Sequence, residues 1–338
     1  MLKALFKIGE QQFDWEDVAL AAQLRGEWAE LEMATRQGLA GIKRAAETNQ
    51  WPAAEEVQAA ANSFRYAHNL ISAQETQDWL QHWGLTVDGW MDYFRRSLLR
   101  EQWSSRLTEI GAAYPVRAEE VAGAIQCEAL CSGQLADWAH QLAGRVALAN
   151  QAKIEIGATG FDAYDREATA LCIDSPFAQI KLEAIARIEA AYQILRHQII
   201  TPQARRAQIA HHHLDWIRFD CRYIWFPEEY LAREAALCLR EDGLTLDEVA
   251  RDSRFIVQHH NFYLDEIEPA GRNHFLAAQA GDWLGPLDLF AGFTLFGVLS
   301  KCLPSDDDLH VRQRAEEAIM RSACSREISR CVTWLAHF

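Results

Sequence analysis

Along most of this chain apolar residues return every three or four positions, the spacing of amphipathic helices, and the stretch from Asp220 to Pro304 mixes in strand-like patterns. Cys221-Arg222-Tyr223-Ile224-Trp225-Phe226, ended by Pro227, reads as a buried strand. A helix is predicted over Glu228 to Arg240, where Tyr230, Leu231, Ala235, Leu237 and Leu239 stand among charges, and Gly243 supplies a stop. Leu246 to Asp252 predicts a short second helix, with Asp247 and Glu248 where a positive helix end favours them. Periodicity is mixed between Arg254 and Gly271, and a third helix is predicted from Arg272 to Ala280, ending at Gly281. Trp283 to Leu299 reads as two strands joined at Ala291-Gly292, whose apolar residues need both a sheet and a helical cover.

The flanking sequence is helical in pattern. Leu2 to Phe13 suggests a strand or extended arm, after which Asp14 and Asp17 form an approximate capping pair at the head of one apolar stripe running to Glu47. Val57, Phe64 and Leu70 mark a helix after Pro52, Ser72 with Glu75 caps one bearing Trp79 and Trp83, and Leu85 starts another with Tyr93, Phe94, Leu99 and Trp103. Ala118 to Gln141 is helical with Gly133 as a point of division, Ala149 to Asp162 is a connection, and Pro176 stands near the start of a long helix. Thr201-Pro202 is an N-cap followed by proline at the first helical position. Val311, Ala315, Ile319, Ile328 and Leu335 place a long amphipathic helix over Asp306 to Phe338. Its stripe needs cover, so it is expected to pack on the N-terminal helices and bring the chain ends together. The expected fold class is α+β. It comprises a helical module over residues 1–216, a small domain over 217–304 with a mixed β-sheet covered by helices, and a C-terminal helix over 305–338 packing back on the first module.

From about Arg222 to Cys302 the order of strand, long helix, short helix, helix and closing strands resembles a parvulin-type peptidyl-prolyl isomerase domain. Leu246-Asp247-Glu248-Val249-Ala250 matches its short helix, Asp282-Trp283-Leu284-Gly285-Pro286 its glycine-proline strand entry, and Gly292 to Leu299 its last strand. Residues 54–103 resemble the helical segment of bacterial parvulin-containing folding chaperones, through Glu75, Trp79, Gly84-Leu85-Thr86, Tyr93, Phe94, Arg95 and Leu99. The resemblance implies a histidine in the first strand and another in the last, yet the matching positions hold Tyr223 and Thr294. Rotating an X-Pro amide crosses a barrier of roughly 20 kcal/mol, and neither side chain reproduces a pair of neighbouring imidazoles. A fold kept for binding peptide, with isomerisation weak or absent, is therefore expected.

Charge and cysteine usage narrow the setting. Lys plus Arg is 33 against 48 Asp plus Glu, a net charge of −15, which argues against a nonspecific grip on nucleic acid or anionic lipid. The 8 cysteines form no regular framework, which suits reduced thiols. Neither a signal-like run nor a bilayer-spanning stretch stands out, so a cytoplasmic setting is expected. No cofactor is expected. His211-His212-His213 point in different directions on a helix, and His259-His260 lacks a third ligand. Cys127 with Cys131 and Cys324 with Cys331 read as ordinary helix packing, and Asp306-Asp307-Asp308 as a helix cap.

The candidate site is a peptide groove lined by Tyr223, Trp225, Phe255, Phe275, Phe293 and Thr294, with Phe262 or Tyr263 at its rim. A second surface is expected where Trp15, Trp28, Trp79, Trp83 and Trp90 approach the C-terminal helix. Parvulin relatives without an export signal occur beside peptide-maturation systems. The resemblance therefore implies a chaperone or accessory protein for a ribosomally made precursor peptide, with an unfolded peptide and a peptide-modifying enzyme as partners. An active isomerase with a modified pocket and a scaffold for a modifying enzyme are the alternatives.

Overall fold

The computed structural model describes residues 4–152, 176–289 and 291–337. They divide into two compact units, one made of the residues up to Arg196 with Ala323 onward, the other running from His197 to Ser322.

In the first unit β1 (Ala4–Ile8) and β2 (Gln11–Asp14) form an antiparallel hairpin. Asp14 accepts the Asp17 amide at 3.1 Å while Asp17 accepts the Asp14 amide at 2.8 Å, which closes a capping box and starts α1 (Trp15–Leu24). The single stripe expected to Glu47 is broken after Leu24, and α2 (Trp28–Thr48) restarts it. Then come α3 (Ala54–Ala67), α4 (Ala73–Trp83) on its Ser72 cap, α5 (Val87–Gln102), α6 (Leu107–Ala113), α7 (Ala118–Cys131), α8 (Gln134–Ala152) and all but the last turn of α9 (Pro176–Ile199). Ala149 to Ala152 belong to α8, and the rest of the connection expected to Asp162 lies outside the described residues. Trp79, Trp83 and Trp90 are buried with Phe6, Phe64 and Leu142, and Trp15 and Trp28 pack against that core, so the tryptophans expected as a second surface fill the interior. The same core buries Cys127 and Cys131, their Sγ atoms 3.8 Å apart.

Glu128 and Glu189 are almost fully buried among these helices, each held by two guanidiniums. Glu128 of α7 accepts from Arg96 at 3.2 Å and from Arg100 at 2.5 Å. Glu189 of α9 accepts from Arg25 at 3.2 Å and from Arg145. Burial of a charge is tolerable only with such pairing.

The second unit holds α10 (Pro202–His211), β3 (Arg218–Phe226), α11 (Glu229–Arg240), α12 (Leu246–Ser253), β4 (Gln258–Tyr263), α13 (Pro269–Ala277), β5 (Trp283–Asp288) and β6 (Phe293–Cys302). It also holds the first part of α14 (Leu309–Cys331). The fold class is α+β, but the sheet is not mixed as expected. Its order is β4-β3-β6-β5 and every neighbouring pair is antiparallel. Two helices rather than one separate β3 from β4, so the chain re-enters the sheet from the end where β3 left it, and a short turn joins β5 to β6. β4 itself lies in the stretch of mixed periodicity. α13 begins at Pro269, three residues before the expected Arg272, with proline in its first turn. Lys301 closes its far end by donating to the carbonyls of Leu276 at 2.6 Å and Ala278 at 2.9 Å.

α14 starts where the Asp308 carboxylate accepts the His310 amide at 2.9 Å, while Asp306 pairs with Arg205 at 3.0 Å. The aspartate run is thus a cap and a paired surface. The helix does not reach Leu335. It ends at Cys331, and β7 (Val332–Trp334) pairs antiparallel with β1, so the chain ends meet through a strand. Close approach has a sequence mark here. A Cβ on Gly144 of α8 would sit 2.7 Å from the Cβ of Cys324, which leaves only glycine room at that crossing.

Candidate peptide-binding face

Strand alternation sorts the side chains of β3 onto two faces. Phe219 and Cys221 enter the core under α13 with Phe262, Phe275, Phe296 and Val298, and Tyr223 packs against it. Ile224 and Phe226 enter the opposite core, against α11 and α12. Trp225 has the parity of Tyr223 and pairs with Thr294 of β6, while Tyr223 pairs with Phe296. On the α13 face, therefore, Tyr223, Trp225 and Thr294 are near neighbours. The Tyr223 ring lies 5.6 Å from that of Phe296, and its hydroxyl donates to the side-chain carbonyl of Gln258 on β4. The Trp225 indole lies across the head of β6, where a Cβ on Gly292 would stand 2.5 Å from its Nε1, and 37% of the residue is exposed.

The six residues expected to line one groove do not share one surface. Phe255 and Phe293 pack in the opposite core, with Phe255 4.8 Å from Phe226. Phe275 is 0% exposed and meets Phe219, Phe262 and Phe296 at ring distances of 5.1–5.3 Å, so it is core beneath the face rather than lining. Thr294 is also 0% exposed, and its Oγ1 has no hydrogen-bond partner among the described residues. Tyr223 and Trp225 remain as the solvent-reaching pair. Of the two rim residues, Phe262 is buried, whereas Tyr263 is half-buried at the end of β4.

The chemistry available on this face follows from those positions. The Tyr223 hydroxyl is already engaged, and Thr294 is sealed. Burial pushes the nearby Cys221 thiol up to about 12, so it stays neutral. An imidazole does reach this face from the neighbouring strand, since His260 on β4 pairs with Cys221 and is exposed. His259 belongs to the other face, where its Nε2 lies 2.5 Å from Asp220. Beside it Arg222 pairs with Asp247 of α12. The face thus offers aromatic contact and hydrogen bonding, and it places no pair of imidazoles across an amide.

Sequence reasoning missed a cleft of ≈ 750 Å³ at the other end of β3 and β4, lined by Trp216, Arg218, Asn261, Tyr263, Arg314 and Arg321 among others. The Arg314 guanidinium lies 4.2 Å from the Tyr263 ring centre and 5.7 Å from that of Trp216, and pairs with Asp265 at 2.7 Å. His212 stacks on Trp216 at 4.6 Å, which gives the middle of the histidine run a packing role. Three separate stretches of chain, 212–218, 261–266 and 310–321, build this cleft, and no local pattern joins them. Tyr263, expected at the rim of the other site, lines this cleft instead. Among the described residues there is no group of three or more His, Cys, Asp or Glu that could hold a metal ion. No described helix is long and apolar enough to cross a membrane.

No protein-family model matches this chain, and no curated protein does. Solved structures similar to it include the peptidylprolyl isomerase PrsA of Bacillus anthracis, at 14% identity and TM-score 0.32, over 56% of this chain and 95% of that one. PrsA of Bacillus subtilis matches at 12% identity and TM-score 0.23, over 62% and 87%. A structure from work on PEB4 and Cj1289, two SurA-like chaperones of Campylobacter jejuni, matches at 10% identity and TM-score 0.17, over 79% and 96%. The TM-scores are low, and no property passes from those proteins to this chain on their strength.

Proposed function

We propose that this protein is a cytoplasmic peptide-binding chaperone, or an accessory protein in the maturation of a ribosomally made precursor peptide, in which prolyl isomerisation is weak or lost. One observation carries the reading. On the α13 face Trp225 and Tyr223 reach solvent, while the two strand positions that hold histidines in the family this chain resembles are occupied by an engaged tyrosine and a sealed threonine. A surface arranged in this way can hold an extended peptide by aromatic contact without the groups that favour a twisted amide. Calorimetric titration of the full chain with any short precursor-like peptide found encoded beside its gene tests it. Trp225→Ala is expected to weaken binding about tenfold, the loss of one aromatic anchor. Equal affinity of wild type and variant would remove this face from the interaction.

The exposed His260 on the same face favours a second reading, a prolyl isomerase with a modified pocket. A protease-coupled proline-peptide assay separates the two. Turnover that disappears in His260→Ala and survives in Tyr223→Phe would select the enzyme.

A further inference from the structure

The two edges of the four-stranded sheet are built differently. β5 carries Pro286, and its pairing with β6 is broken between Leu284 and Leu287. Proline and irregular pairing keep an edge from accepting another strand. β4 has neither device. Its register with β3 runs unbroken from Tyr223↔Gln258 to Arg218↔Tyr263, and Gln258-His259-His260-Asn261 is exposed without a lysine, a proline or an acid.

The hydrogen bonds at the end of β4 show which main-chain groups face outward. The Leu264 amide donates to the Ile217 carbonyl at 2.9 Å, one step beyond the last pair of the β3–β4 register. Because bonded and non-bonded pairs alternate in an antiparallel ladder, Phe262 and His260 aim their amides at β3, and Tyr263, Asn261 and His259 aim theirs away. Glu266 takes the outward Tyr263 amide at 2.9 Å. His259 and Asn261 keep their outward N–H and C=O groups unbonded among the described residues. The His259 side chain turns back to Asp220 on β3 and leaves that edge clear. Just past it, Asn261, Phe262 and Tyr263 form one wall of the ≈ 750 Å³ cleft, and the opposite wall is α14, where Glu317 and Arg321 carry no ion pair among the described residues.

We infer that β4 is a docking edge for polypeptide. An extended segment of a client chain adds as a fifth strand, pairs its main chain with His259 and Asn261, and runs on into the cleft, where Glu317 and Arg321 meet its charges of either sign. Main-chain pairing asks for an extended backbone and little particular sequence. The inference rests on the peptide-binding reading above and moves the contact from the side chains of Tyr223 and Trp225 to the backbone of β4.

Amide hydrogen exchange of the full chain, resolved to single residues, tests it with reduced and carboxymethylated α-lactalbumin, a polypeptide that stays unfolded, as the probe. The probe is expected to slow exchange at His259 and Asn261 by about tenfold or more and to leave β5 unchanged. Asn261→Pro removes an outward amide that the β3 ladder does not use, and is expected to weaken probe binding about tenfold. Binding that protects residues around Trp225 but neither His259 nor Asn261 would overturn the docking edge and leave the peptide-binding reading standing. Absence of any binding would overturn both. Protection that rises with the protein's own concentration and without the probe would show the edge occupied by a second copy, and would also overturn the inference. If Asn261→Pro does not fold, the wild-type exchange pattern still decides.

Discussion

Charge is kept in opposite places in the two units. The first encloses Glu128 and Glu189, each between two arginines, within a core of leucines and tryptophans. In the second, the core under α13 is a cluster of Phe219, Phe262, Phe275 and Phe296, while Arg222–Asp247, His259–Asp220 and Arg314–Asp265 lie toward solvent. An interior that contains ions depends on each of its partners, because removing one strands the other in a medium that cannot solvate it. An interior of stacked rings depends on volume, and leaves the polar groups at the surface available to a ligand.

The comparison can be broken at several points. Glu128→Ala leaves Arg96 buried and unpaired, and is expected to cost about 3–5 kcal/mol in the first unit. Hydrogen exchange should show that loss in α5 and α7 and not in the four-stranded sheet. Phe275→Ala opens a cavity where three rings meet and is expected to cost a similar amount, about 3–5 kcal/mol, confined to the second unit. Trp225→Ala should change that unit's urea midpoint far less, although both residues are aromatic, because Trp225 stands at the surface. Gly144→Ala presses a methyl against Cys324 and is expected to cost about 1–3 kcal/mol, read as a lower midpoint for the first unit.

The smallest effect is in acid. The Arg222 hydrogen bond holds the Asp247 carboxyl below its ordinary range. A depressed carboxylate contributes its stability above the unfolded value of about 3.9 and loses it as pH falls through the folded value. A urea midpoint followed from about pH 6 downward should therefore show a drop below about pH 4 that Asp247→Asn reduces. A drop of the same size in the variant would assign the acid sensitivity to other carboxylates.

Local signals carried far along this chain. The pairs Asp14/Asp17 and Ser72/Glu75 and the Thr201-Pro202 start are visible as letters because a cap is completed within four residues, and all three begin helices. The apolar run of β3 and the break at Ala291-Gly292 were equally plain. β4 was hidden because an exposed edge strand need not alternate, and Gln258 to Asn261 are all polar. β7 was hidden because Val332 and Leu335 continue the helical spacing of α14 while their strand partner, β1, lies more than three hundred residues away. Phe293 and Thr294 are consecutive in a strand and must face opposite ways, so they could not line one groove. The cleft was not legible, since Trp216, Tyr263 and Arg314 come from three stretches of chain far apart in sequence.

The pairing of β7 with β1 sets an order of events at the ribosome. The β1–β2 hairpin is made well before the strand that covers its open side, which lies more than three hundred residues further along the chain. At synthesis rates of about 5–20 residues per second, that side waits on the order of tens of seconds for its neighbour. During that interval Leu5, Phe6 and Ile8 need a temporary shelter.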